Sequence, residues 1–182
     1  MKKFELTSEF VTFLGKTLFR IKALVSFGDV AEGELGGFIE RENNLDQSGD
    51  AWVYGDAQVF GDARVYGDAQ VYGDAQVFGD ARVYGDAQVY GDAWVFGDAR
   101  VYGDARVQNC RDYSATSCFG SENRTTTFFR TKDGGISVRC GCFYGTLREF
   151  REKVKERHGD SRLAKEYLML ADLMEFRLSK DE

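Results

Sequence analysis

A chain of 182 residues is the length of one domain with appendages, and its 43% hydrophobic and 14% aromatic content is enough for a packed core. No stretch approaches eighteen consecutive apolar residues, which excludes a membrane-spanning helix. The net charge of −6 is concentrated: Gly49 to Val107 carries ten Asp against four Arg, so the flanks sum to zero, and no long basic stripe suits direct nucleic-acid binding.

In chain order, residues 1–48 read as an N-terminal β cap. "MKKFELTSEF" has two lysines but no apolar h-region or small-residue cleavage site, so it is no secretion signal. With four cysteines read as reduced thiols, the expected location is the cytoplasm. "TLFRIKALVSF" alternates as a strand, Phe19, Ile21 and Ala23 on one side and Arg20 and Lys22 on the other. "GELGGFIERENNL" then leads into residues 49–108, the repeat.

The repeat unit is six residues, Gly-Asp-Ala-x-Val-aromatic, and Gly-Asp-Ala occurs ten times between Gly49 and Ala105. Six residues are too few for a helical repeat, and a Gly and a Val in every unit disfavour helix throughout. Two inward positions, Ala and Val, separated by Gly-Asp from the previous strand, suit a short strand and a turn. An Asp after each Gly suits a side chain that bonds nearby backbone amides.

A second period sets the architecture. Every third unit is alike: Phe60, Phe78 and Phe96 form one column, Tyr66, Tyr84 and Tyr102 a second, and Tyr54, Tyr72 and Tyr90 a third. Arg64, Arg82 and Arg100 also fall in one column. Three units therefore make one 18-residue coil of a triangular prism, with like residues about 4.8 Å apart. Ten units predict about three coils.

This pattern resembles the hexapeptide-repeat, left-handed parallel β-helix family, in which an aliphatic residue and a small residue four places on fill the prism. Left-handedness is implied by the resemblance alone; crossover rules would favour the right hand. The leader from about Gly15 is similar to that of bacterial and prophage β-helix proteins described as transferases, whose activity is not established. The fold expected is thus mainly β.

Residues 109–182 read as an α/β tail. "TTTFFRTKDGGISVRCGCF" predicts a hairpin of Thr125 to Thr131 and Ile136 to Cys142, turned at Asp133-Gly134. Thr146 and Glu149 form a capping box for a helix to about His158, closed by Gly159. Ser161 starts a second helix through Leu178, whose wide apolar sector, with Leu168, Met169, Leu173 and Phe176, predicts burial on two sides. "GGISVRCGCFYGTLREFREKV" resembles C-terminal segments of phage and prophage proteins, which implies a viral or prophage origin and a host-cell cytosol.

Acyl transfer, common in hexapeptide-repeat enzymes, needs a general base. The one histidine, His158, falls at a helix end, where it is a favourable dipole partner, and no insertion shapes a pocket in the coils. Cys110, Cys118, Cys140 and Cys142 lack C-x-x-C spacing, so no metal is expected, and no cofactor.

The arginine column is the sharpest functional signal. Asp62, Asp80 and Asp98 precede Arg64, Arg82 and Arg100 by two positions, so an Asp–Arg ladder is the plain expectation. The alternative is that these arginines, beside Tyr66, Tyr84 and Tyr102, grip an anionic aromatic ligand, with Arg130, Lys132 and Arg139 completing the site across subunits. The phenylalanine column with Trp94 predicts an oligomer interface, most simply a trimer, unless the second tail helix covers it.

The resulting expectation is a non-catalytic, oligomeric binding scaffold. Its partner would be a host defence protein or an anionic nucleotide signal. The alternatives are an acyltransferase-like enzyme and an acidic nucleic-acid mimic.

Overall fold

The computed structural model describes residues 2–179, so the outermost ends of the first and last predicted segments lie outside it. β1 (Phe4–Phe13) and β2 (Lys16–Ala23) form an antiparallel hairpin, turned where Leu14 and Gly15 both take positive φ. β3 (Leu35–Ile39) continues the sheet antiparallel to β2 and joins the solenoid in parallel on its other edge.

Each hexad supplies one two-residue strand. β4 (Trp52–Val53) closes the first coil. β5 (Gln58–Val59), β6 (Arg64–Val65) and β7 (Gln70–Val71) make the second. β8 (Gln76–Val77), β9 (Arg82–Val83) and β10 (Gln88–Val89) make the third. β11 (Trp94–Val95), β12 (Arg100–Val101) and β13 (Arg106–Val107) make the fourth. Equivalent strands pair in parallel on three faces, with Val59, Val77 and Val95 in register on one of them. The Ala and Val of all ten hexads are fully buried, each at 0% exposure. Each buried Val contributes roughly 1.5–3 kcal/mol.

The stack holds four coils rather than the three that the hexads alone predict. The leader fills the first: Ile39 pairs beside Val59 and Leu45 beside Val65, twenty residues apart instead of 18. The two extra residues lie between Leu45 and Trp52 and break the sequence period. Buried Asn44 holds the irregular coil to the regular one, with Nδ2 donating to the carbonyls of Gly61 (3.0 Å) and Ala63 (2.9 Å). Its Oδ1 accepts the Arg41 amide at 2.9 Å.

The tail is a four-stranded antiparallel sheet in chain order: β14 (Tyr113–Phe119), β15 (Arg124–Arg130), β16 (Ile136–Cys140) and β17 (Phe143–Thr146). The expected hairpin is its central pair. The flanking strands escape the pattern because "YSATSCF" is small and polar and β17 is only four residues long. Adjacent residues of β15 face opposite ways: Phe128 packs under the helices and Phe129 enters the solenoid core. The sheet therefore caps the stack, anchored by Arg100 N donating to Thr127 Oγ1 (3.0 Å) and Lys132 N donating to the Asp104 carbonyl (3.1 Å).

α1 (Leu147–His158) begins at the expected capping box, with Glu149 N donating to Thr146 Oγ1 and Thr146 N to Glu149 Oε2. α2 (Arg162–Leu178) starts on Ser161. Its burial on two sides is not observed. Tyr167, Ala171, Met174 and Leu178 pack on the sheet, while Met169, Leu173 and Phe176 stand exposed, because the tail sheet lies against one face of α2. Neither helix is long and apolar enough to cross a membrane.

Candidate functional site

Strand register places the aromatic columns as expected. Tyr66 stacks on Tyr84 with ring centroids 4.8 Å apart, and Tyr84 on Tyr102 at 4.4 Å. Tyr144 of β17 closes this column edge-on at 4.7 Å from Tyr102. Burial raises the Tyr66 phenol above its ordinary value, as does the neighbouring Tyr84, while the Arg82 and Arg100 guanidiniums oppose the shift. That opposition reports positive charge beside the tyrosine face.

The Asp–Arg ladder does not form. Asp62 pairs instead with Arg41 of the leader at 3.1 Å, and Asp56 with Arg20 at 3.5 Å. Among the described residues, Arg64, Arg82 and Arg100 have no carboxylate within ion-pair distance, and all three side chains are exposed. The reason is positional: the arginines occupy the flat strand face and the aspartates the turns. Nor do the turn aspartates systematically cap amides. Among the described residues, Asp68 accepts one, from Asp50 at 3.2 Å. Two guanidiniums one strand spacing apart repel by about 0.9 kcal/mol even at the dielectric of bulk water.

Two clefts bound this face. At the leader end, Arg64, Arg82 and Tyr66 line a cleft of about 420 Å³ shared with Glu42 and Asp46. At the tail end, Arg100 meets Arg124 and Arg139 in a cleft of about 320 Å³, with Asp98 on its wall. Arg139 Nη1 donates to the Phe143 carbonyl at 3.2 Å, and its buried Nε has no hydrogen-bond partner among the described residues. Arg139 thus joins Arg100 within one chain, where the sequence suggested a site completed across subunits.

Arg130 and Lys132 stand apart from this cleft. Arg130 is engaged by Asp112 at 3.4 Å and by the Ser179 carbonyl at 3.1 Å, while the Lys132 side chain is exposed. Arg124 was missed because "RTTTFFR" offered only Arg130 as part of a predicted strand; the register of β15 against β16 is what aligns Arg124 with the cleft.

The phenylalanine column is divided. Phe60, at 4% exposure, is covered by Phe13 and Val11 of the chain's own β1, so neither a partner nor α2 is needed there. Trp94 (46%) and Phe96 (49%) remain open at the far end.

His158 lies outside the solenoid, its ring against Tyr167 at a centroid distance of 5.7 Å. Cys140 Sγ accepts the Thr126 hydroxyl at 3.2 Å, and Cys110, Cys118 and Cys142 are exposed free thiols. Among the described residues, no three His, Cys, Asp or Glu side chains are grouped to hold a metal ion.

No curated protein matches the chain. Residues 57–73, 69–85, 75–91 and 99–110 match the family model described as the YdcK β-solenoid repeat. The matches lie on the coils, the last running three residues past Val107, so the likeness covers the repeat and leaves the leader and nearly all of the tail outside it, and it agrees with the observed parallel stack in supporting a β-solenoid family for this segment.

Proposed function

We propose that the protein is a non-catalytic binding scaffold that holds an anionic ligand against the Arg64–Arg82–Arg100 face, with the Tyr66–Tyr84–Tyr102 stack as an aromatic wall. One observation carries this reading: in a solenoid with ten turn aspartates, the three stacked arginines have no carboxylate partner among the described residues. An anion relieves their mutual repulsion, and the planar fork of Arg suits phosphate. A nucleotide supplies both a phosphate and a ring for the tyrosines. Sequestering such a signal, or blocking an acidic surface of a host protein, is the role that fits the phage-like tail.

The test is calorimetric titration with ATP and with a cyclic dinucleotide, repeated on the Arg64→Gln/Arg82→Gln/Arg100→Gln variant. Gln already fills the same hexad position at Gln58, Gln70, Gln76 and Gln88, so the fold survives. Removing one charge-assisted hydrogen bond costs about 1.5–3 kcal/mol, so affinity falls at least about a hundredfold across the three substitutions. Unchanged binding by the folded variant overturns the reading. As part of the same proposal, Trp94 and Phe96 pack against a second copy of the chain, most simply in a trimer. Trp94→Ser/Phe96→Ser then lowers the molar mass seen by light scattering.

A further inference from the structure

The tail holds a second concave surface that the arginine face does not use. A cavity of about 540 Å³ opens between the sheet and the C-terminal half of α1, within the size range of small-molecule sites. Its floor is apolar and already assembled. Phe143 meets Phe150 at 5.6 Å between centroids, Phe119 stands edge-on to Tyr167 at 5.4 Å, and Val154 fills the space one turn after Phe150.

The rim has the opposite character. Arg124 enters from β15 and Arg157 from the last turn of α1, and among the described residues neither has an ion-pair partner. Lys153, also on the rim, pairs with Glu156 of its own helix at 2.8 Å. Glu122 is the one carboxylate among the described residues that line the cavity. Apolar depth with a cationic mouth selects one class of ligand. A neutral apolar molecule would leave two guanidiniums without counter-charge, and an inorganic anion would leave the phenylalanines wet.

We propose that this cavity binds a small amphipathic anion, its aromatic or acyl body on Phe119, Phe143 and Phe150 and its acidic group at Arg157 and Arg124. The site is separate from the solenoid face; only Arg124 and Gly141 border both clefts, so the test turns on Arg157.

The probes are naphthalene-2-sulfonate, its neutral analogue 2-naphthalenemethanol, and inorganic sulfate, titrated into the full-length protein by calorimetry. The sulfonate binds one to one and at least about tenfold tighter than the alcohol, the ratio expected of one charge-assisted hydrogen bond. Sulfate alone gives no heat at millimolar concentration. Arg157→Glu, at an exposed position, removes the advantage of the sulfonate and leaves the alcohol unchanged. Arg64→Gln/Arg82→Gln alters neither, which keeps this outcome distinct from failure of the solenoid site. Three results overturn the proposal: equal affinities or no binding of sulfonate and alcohol, undiminished sulfonate binding by Arg157→Glu, or loss of binding in Leu173→Ser/Phe176→Ser, which would move the probe to the open face of α2.

Discussion

Gly79 and Gly97 are a matched pair for measuring how tightly the coils approach one another. Both take the left-handed conformation, φ +71° and +64°. A Cβ on Gly79 would lie 2.9 Å from the backbone nitrogen of Gly97 in the coil above, whereas a Cβ on Gly97 meets nothing within 4 Å among the described residues. Ala at either site carries about 1–2 kcal/mol of left-handed strain. The lower entropy of its unfolded chain offsets about 0.4–1 kcal/mol of that.

Gly97→Ala therefore costs roughly 0.5–1 kcal/mol net. Gly79→Ala bears the same strain and must also push two coils apart. Flanking ladder bonds resist this, Phe78 N to the Val95 carbonyl at 3.0 Å and Arg82 N to the Ala99 carbonyl at 2.9 Å. Overpacking of this kind adds about 1–3 kcal/mol. In a chain of this length each kcal/mol lowers the melting temperature by about 2–4 °C. Thermal unfolding followed by far-UV circular dichroism separates the two variants, Gly79→Ala melting lower by at least about 2 °C. Equal melting temperatures would refute the argument, because the shared φ would then be the whole cost.

Burial pushes the Tyr113 phenol up to about 12, so the neutral form contributes stability in full below its unfolded value near 10 and that contribution is lost as pH rises through 12. Tyr113→Phe removes the ionisable group, and urea titrations from pH 9 to 12 should show the alkaline loss of stability shrinking by about 2–3 kcal/mol; an unaltered pH slope contradicts the assignment. Asn44→Leu strands the Ala63 carbonyl and the Arg41 amide and leaves the Gly61 carbonyl to the Arg41 guanidinium alone, and chemical denaturation should show a loss of at least about 2 kcal/mol. A loss below about 0.5 kcal/mol would mean that water satisfies these groups.

The solenoid was legible because its core is written in two letters at fixed spacing. Ala81 and Val83 need no tertiary information to be placed inside, and their 18-residue neighbours follow by register. The same logic read Thr146 and Ser161 as helix starts, since a cap is a local bond. It failed where a side chain's environment comes from distant chain. Nothing local says that Val11 and Phe13 will lie over Phe60, or that the coil containing Leu45 is two residues longer than the rest.

The candidate site divides the same way. Register alone stacked Arg64, Arg82 and Arg100 in one column, but proximity in sequence to Asp62, Asp80 and Asp98 suggested pairs that strand and turn directions prevent. Arg124 and Arg157 were invisible because each takes its meaning from an element folded against it.

The identity of Gly55–Tyr72 with Gly73–Tyr90 makes the height of this molecule adjustable in whole steps. Every bond that one of these coils makes to the next is one that its copy can make, so excising 18 residues rejoins the chain in phase, with both caps seated on unchanged ends. Such a deletion would bring the leader cleft and the tail cleft nearer by a single strand spacing, about 4.8 Å, with Arg100 then serving the walls of both. The protein is in that sense a gauge: coil number sets the gap between two fixed jaws, and a ligand long enough to touch both would register the loss of one graduation.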